Sequence, residues 1–67
     1  MKEIGLKIRN RRKMLGVTQG QLAAISGVGI NTLTKIERGE GNPSMSVLLH
    51  VLDSLGLELV ARVKVIE

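Results

Sequence analysis

Apolar residues recur every three or four positions through most of the chain, which is the spacing of one face of an α-helix. The pattern predicts a first helix between residues 3 and 15, with Ile4, Ile8 and Leu15 on its inner side. Arg12 falls on the same stripe, so one charged side chain points toward the apolar side. A buried charge is unstable alone, and we therefore expect Arg12 to have a partner.

A second helix is predicted to begin after Thr18. Thr18 and Gln21 have the spacing of a capping box, in which each side chain accepts a hydrogen bond from the other residue's backbone N–H. The helix is expected to reach about Ile25, with Leu22 and Ile25 facing the core. Gly27 then provides the left-handed residue of a tight turn.

Two more helices follow. The third is predicted from Gly29 to about Arg38, with Leu33 and Ile36 directed inward. After a loop that ends at Pro43, the fourth is predicted to reach about Leu55. Its apolar stripe consists of Met45, Leu48, Leu52 and Leu55.

The pattern changes to period two in the last eleven residues, which predicts a β-strand. A single strand in a helical chain has no partner of its own, so we expect it to pair with the same strand of a second copy. The chain then divides into a helical domain, residues 1–56, and a dimerisation strand, residues 57–67. The dimerisation residues are Leu57, Leu59, Ala61, Val63 and Val65.

Composition excludes several classes of chemistry. A length of 67 residues allows one small domain. There is no cysteine, which excludes disulfides and thiolate zinc sites, and the single His50 cannot form a metal cluster alone. Ser46, His50 and Asp53 would share one helix and cannot form a catalytic triad. We therefore expect a protein that is not an enzyme and has no metal and no cofactor.

Neither a membrane span of about 20 apolar residues nor a signal peptide is visible, so a cytoplasmic protein is expected. The formal net charge is +4, and six of the ten basic residues lie in residues 1–16. Such a basic segment can bind nucleic acid, bind an anionic membrane, or keep a protein soluble, and charge alone does not decide between them.

Two short helices joined by a glycine-containing turn describe a helix-turn-helix motif. Residues dispersed over positions 4–56 resemble the Cro/C1-type, or Xre-like, helix-turn-helix family, whose fold is that of lambda repressor. They are Ile8-Arg9, Arg12-Lys13, Gly16, Thr18-Gln19, Leu22-Ala23, Gly27-Val28, Ile36-Glu37, Gly39 and Pro43-Ser44.

This resemblance implies roles for individual residues. The third helix would read base edges through Ile30, Asn31, Thr32 and Lys35, for which the side-chain chemistry of Asn, Thr and Lys is suited. A salt bridge would join Arg12 to Glu37. Contacts to the DNA backbone would come from Thr18, Gln19, Arg9, Arg11, Lys13, Arg38 and Asn42.

The function implied is a sequence-specific transcriptional repressor that binds double-stranded DNA as a homodimer, on an inverted-repeat operator. It would be nucleoid-associated when bound to DNA. The segment LGLELVARVKV also resembles the tail of HipB-type antitoxins, which makes an antitoxin that neutralises a kinase-like toxin partner the alternative. An adjacent gene for such a kinase would favour the antitoxin. A helical adaptor that binds no nucleic acid is a third possibility.

Overall fold

Four α-helices make up the part of the protein that the computed structural model describes, which is residues 2–61 and residue 64. The prediction of a mainly helical, lambda repressor-like domain is confirmed. Each predicted helix is present with ends shifted by one or two residues. The helices are α1, Lys2–Met14; α2, Gln19–Ser26; α3, Ile30–Glu37; and α4, Met45–Ser54.

The ends of α2 follow from local hydrogen bonding. Thr18 Oγ1 accepts from the backbone N–H of Gln21 at 3.0 Å, and Gln21 Oε1 accepts from the backbone N–H of Thr18 at 2.9 Å, so the predicted capping box is formed. Gly27 ends the helix in the left-handed conformation, with φ of 71°. This glycine reverses the chain and lets α3 begin three residues later.

The core is aliphatic and is shared by all four helices. α2 packs against α4 and α3, and α1 packs against α3. The side chains that are fully buried are Ile8, Leu22, Leu33, Ile36 and Val51. Among the described residues, each helix is too short or too polar to span a membrane.

Three of the predicted core positions are wrong. Leu15 follows the last residue of α1 and is exposed in the turn. Ile25 is 67% exposed because the eight-residue α2 buries only the narrow side that carries Leu22 and Ala23. Met45 is 61% exposed because it is the first residue of α4. The side chains that α4 buries are those of Leu48, Val51 and Leu52.

The predicted C-terminal strand is absent over residues 57–61, which have no regular secondary structure. A strand is held by hydrogen bonds to a neighbouring strand, and the rest of the described chain is helical. Leu57 instead packs against the core, whereas Leu59, Val60 and Ala61 are exposed. Val63 and Val65 lie outside the described residues. Pairing of the tail with a second copy stays a prediction.

The packing of α1 on α3 depends on Gly5. A Cβ atom at this position would overlap the carbonyl oxygen of Ile36 and would lie 3.0 Å from that of Glu37. Both atoms belong to the backbone at the end of α3, which cannot move aside without disturbing the helix.

We therefore expect Gly5→Ala to lower the free energy of unfolding by about 3 kcal/mol, because the added methyl group forces α1 away from α3. The matched control is Asn10→Ala, at an exposed position of the same helix, which should be neutral or slightly stabilising. Urea denaturation of both variants measures the difference, and equal stability of the two would contradict this account of the packing.

Candidate nucleic-acid interface

The outer face of α3 is polar and open to solvent. At 100° per residue, Asn31 and Lys35 lie on the side of the helix opposite Leu33 and Ile36, and all four predicted base-reading residues are exposed. Ile30 forms the edge of this face toward α2, and Thr32 forms the other edge. We call the surface formed by Ile30, Asn31, Thr32 and Lys35 the α3 face.

A shallow depression flanks the α3 face on the side of the loop before α4. Thr32 and Lys35 line it together with Glu40 and Asn42. Asn42, predicted as a backbone contact, is thus close to the α3 face. Glu40 was not singled out from the sequence, because the loop position of a single acidic residue gives no functional signal. Its carboxylate places a negative charge in the same depression as Lys35, the one charged residue of the α3 face.

A polar groove lies between α1 and α3. Three of the predicted phosphate-contacting cations, Arg9, Lys13 and Arg38, line it with Gln19 and Thr34. Arg9 and Lys13 lie one turn apart on α1 and Arg38 directly follows α3, so the fold brings together charges that are far apart in sequence. A positively charged groove beside an exposed polar helix suits an anionic backbone.

Arg11 lies elsewhere. It is on the other side of α1 from Arg9 and Lys13, and its Nε donates a hydrogen bond to the carbonyl oxygen of Leu55 at 3.0 Å. That carbonyl is at the C-terminal end of α4, where a cation is favourable. The geometry favours a helix-capping role for Arg11 over the phosphate contact that the sequence suggested.

The predicted ion pair between Arg12 and Glu37 is present. Arg12 Nε donates to Glu37 Oε2 at 2.7 Å and Arg12 Nη2 donates to Oε1 at 3.0 Å, which is a bidentate arrangement. The side chains of Arg12 and Glu37 are only 10% and 2% exposed. Arg12 Nη1 also donates to the carbonyl oxygen of Val17 at 2.8 Å, so the pair joins α1, the turn before α2, and α3.

Gln19 extends this network to α2. Its Nε2 donates to Glu37 Oε1 at 3.1 Å, and its Oε1 lies 3.3 Å from the hydroxyl of Thr34. Because a carboxylate only accepts hydrogen bonds, the NH₂ group of the Gln19 amide, and not its carbonyl oxygen, must face Glu37. Thr34 was not identified from the sequence. Its position one turn before Glu37 is the only sequence feature that indicates a contact with Gln19, the residue that also binds Glu37.

The two charged groups shift each other's pKa. Burial acts to raise the pKa of the Glu37 carboxyl, but hydrogen bonds from Arg12 and Gln19, with the charges of Arg12 and Arg9, hold it below its ordinary value. The hydrogen bond to Glu37 raises the pKa of Arg12 above its already high ordinary value, against the opposing effect of burial. Both groups are therefore charged at neutral pH.

We expect Glu37→Gln to lower the free energy of unfolding at pH 7 by about 3 kcal/mol, because it leaves a buried guanidinium without its counter-ion. The folded-state pKa of Glu37 is below the unfolded value of about 4.3, so its stabilising contribution is present above that value. This contribution is lost as the pH falls through the folded-state pKa. The difference in free energy of unfolding between wild type and Glu37→Gln should therefore become smaller at low pH. Urea titrations from neutral pH to about pH 3 measure it.

Glu40→Gln is the control for this experiment, because Glu40 is exposed and its removal should change stability little at any pH. The contrary result would be a free energy of unfolding that differs between wild type and Glu37→Gln by the same amount at every pH. That result would show that the charge of Glu37 is not what stabilises the fold.

Comparison with known proteins finds a matching family and similar solved structures. A family model described as helix-turn-helix matches residues 8–61. A solved structure of the restriction-modification controller protein C.AhdI from Aeromonas hydrophila superposes with a TM-score of 0.78 at 30% identity, covering 85% of this chain and 86% of that one.

Two curated relatives are named as transcription regulators. An uncharacterized HTH-type transcriptional regulator of Haemophilus influenzae is 42% identical over 48 residues, which are 72% of this chain and 49% of the relative. The cryptic phage CTXphi transcriptional repressor RstR of Vibrio cholerae is 34% identical over 53 residues, 79% of this chain and 47% of the relative. The chain thus spans about half the length of each of these two relatives. On the extent of the family match and its agreement with the fold, this chain belongs to the Cro/C1-type helix-turn-helix family.

Proposed function

We propose that this protein is a sequence-specific DNA-binding transcriptional repressor. The observation that carries the proposal is the division of α3 into two sides, one buried against the core and one presenting Asn31, Thr32 and Lys35 to solvent. An α-helix that is fixed from behind and exposed in front can enter the major groove of B-DNA.

The α3 face offers several kinds of base contact. Asn31 can bond in two places to an adenine edge, and Lys35 can donate to guanine O6 and N7. Thr32 can donate, accept, or touch a thymine methyl group, and Ile30 can add only an apolar contact. These chemistries differ from one another, so the face would prefer one base sequence over others.

The polar groove would hold the sugar-phosphate backbone beside the major groove. Arg9, Lys13 and Arg38 supply the positive charge, Gln19 lines the groove with them, and Thr18 is the N-cap residue directly before Gln19. Contacts of this kind set the register of a protein on DNA, and they make the affinity fall steeply as salt is raised. Arg11 is not included, since it binds the end of α4.

The names of two similar proteins support a role in repression, and dimerisation is part of the proposal. RstR is named as a transcriptional repressor and C.AhdI as a controller protein, and both resemble this chain over most of its length. For two copies related by a two-fold axis to read successive turns of the major groove on an inverted repeat, their α3 helices must lie about 34 Å apart. The antitoxin alternative depends on the tail sequence and stays a prediction.

Base reading can be tested at Asn31. A preferred DNA fragment is first selected from a random pool with the wild-type protein. Asn31→Ala should then weaken binding to the selected fragment by about 1 to 3 kcal/mol and leave binding to random DNA nearly unchanged, because only the base contact is lost. Fluorescence anisotropy at fixed salt measures both affinities.

Ser46→Ala, at an exposed position on α4, is the control and should bind both DNAs as the wild type does. If Asn31→Ala weakened both DNAs equally, Asn31 would not be reading bases. If the wild type selected no common sequence from the pool, the protein would not be sequence-specific.

Dimer formation through the C-terminal tail can be tested with substitutions at Val63. Val63→Pro should shift the protein from dimer to monomer in sedimentation equilibrium, because proline lacks the N–H that a strand pair needs. Val63→Thr keeps a β-branched side chain and the N–H, so it serves as the control and should remain dimeric. An unchanged dimer with Val63→Pro would mean that the tail is not the interface.

A further inference from the structure

The junction between α4 and the C-terminal tail, residues 57–67, is held by Arg11 of α1. Arg11 Nε donates to the carbonyl oxygen of Leu55 at 3.0 Å, across 44 positions of sequence. The last carbonyl groups of a helix have no partner in a following turn, so Arg11 supplies a donor that α4 itself lacks. The guanidinium also lies beside Gly56, where a Cβ atom would stand 3.7 Å from Arg11 Nη2.

The chain is fixed on both sides of Gly56. This glycine turns the chain out of α4 with φ of 70°. Before it, the carbonyl of Leu55 is bonded to Arg11. After it, the N–H of Leu57 donates to the carbonyl oxygen of Leu52 at 2.8 Å, and the Leu57 side chain packs against the core. Two hydrogen bonds therefore set the direction in which the tail leaves the domain.

The start of the tail lies along α1. Ile4 and Lys7 line a groove together with residues 57–60. At 100° per residue, Ile4, Lys7 and Arg11 share one side of α1. The same helix carries, on another side, two of the cations that the proposed function assigns to phosphate contacts. One helix is thus in contact with both the tail and the surface proposed to bind DNA.

We propose that Arg11 is a positioning residue that fixes the tail relative to the DNA-binding surface of its own copy and so sets the half-site spacing that a dimer recognises. This inference rests on the proposed function, in which two copies pair through their tails and read an inverted repeat.

The physical reason is the stiffness of the connection between the two DNA-binding surfaces. A dimer gains affinity from a second half-site only if both surfaces engage at once, and this gain depends on how well the connection matches the distance between the half-sites. Glycine has the most backbone freedom, so Gly56 is the point where an unheld connection bends most easily. The bond from Arg11 to Leu55 restrains the chain at that point.

The test uses three duplexes. An inverted repeat is first selected from a random pool with the wild-type protein. The second duplex has one base pair added between the two half-sites, which moves one half-site by about 3.4 Å and turns it by about 35°. The third duplex contains a single half-site. Fluorescence anisotropy at fixed salt measures the affinity of the full chain for each.

Arg11→Met keeps a long unbranched side chain but removes the charge and the donor. It should bind the selected repeat about tenfold more weakly than wild type and the single half-site equally well, because only simultaneous binding is impaired. Its preference for the selected spacing over the longer one should also fall about tenfold. Sedimentation equilibrium should still show a dimer, since the tail residues that pair are retained.

Lys7→Met is the matched control. It removes a positive charge from the same side of α1, at an exposed position one turn before Arg11, and leaves the bond to Leu55 in place. It should keep the wild-type spacing preference. An equal loss of preference in Lys7→Met and Arg11→Met would show that charge, and not this hydrogen bond, is responsible.

Arg11→Lys is a second variant that retains the charge. A flexible ammonium holds the Leu55 carbonyl less firmly than the planar guanidinium, so the spacing preference should fall by about threefold. Melting followed by circular dichroism identifies the temperature at which each variant is folded, and the titrations are made below it. The test can therefore be made with Arg11→Lys even if Arg11→Met does not fold.

Two further outcomes would overturn the inference for Arg11 alone. If Arg11→Met weakened the single half-site as much as the repeat, Arg11 would contact DNA directly. If every folded Arg11 variant kept the wild-type spacing preference, the bond to Leu55 would hold only the end of α4. If the wild type itself bound no DNA or sedimented as a monomer, the proposed function would fail and this inference with it, a result distinct from a loss confined to the variants.

Discussion

The buried ion pair between Arg12 and Glu37 holds the DNA-binding part of the molecule in one arrangement. Removing two charges from water is unfavourable, and the pair is stable only because its hydrogen-bonding groups find partners inside the protein. Glu37 accepts from both Arg12 and Gln19, and Arg12 also donates to the carbonyl of Val17. These contacts connect three helices through one polar centre in an otherwise aliphatic core. Apolar packing alone is less directional, and the pair adds hydrogen bonds of defined geometry between α1 and α3.

The eight residues of α3 divide into a buried side and an exposed side. Leu33, Ile36 and Glu37 hold α3 against the rest of the domain, while the α3 face is exposed and polar. An isolated helix of this length would not be stable in water, and its first residue has no side-chain cap. The order of α3 therefore comes from its buried side.

Much of this arrangement follows from the sequence because local signals agree with one another. The helical period, the capping box at Thr18 and the Gly27 turn each define one part of the helix-turn-helix. Arg12 on an apolar stripe indicated a buried partner, and the family resemblance identified Glu37. The wrong core predictions are at positions where burial depends on how many neighbouring residues surround the side chain. Ile25 and Met45 match the helical period, but a short helix and a helix end have too few neighbours to bury them.

Other features depend on which face of a helix meets which neighbour, and sequence spacing alone does not reveal this. Arg11 is two residues from Arg9 and has the same charge, yet the two lie on different sides of α1 and contact different helices. Gly5 and Gly20 are both helical glycines, and only the positions of surrounding atoms distinguish them. The tail strand was predicted from the period-two alternation and a resemblance to HipB-type tails, and the described residues 57–61 form no strand within the single chain.

The exposed side of α3 has a consequence for the diversity of this family. Asn31 and Lys35 face away from the core, so mutations at these two positions should change the chemistry of the α3 face while the scaffold that presents them is preserved. Under the proposed function, duplicated copies of such a gene would acquire separate DNA targets through very few substitutions, without passing through an unfolded intermediate.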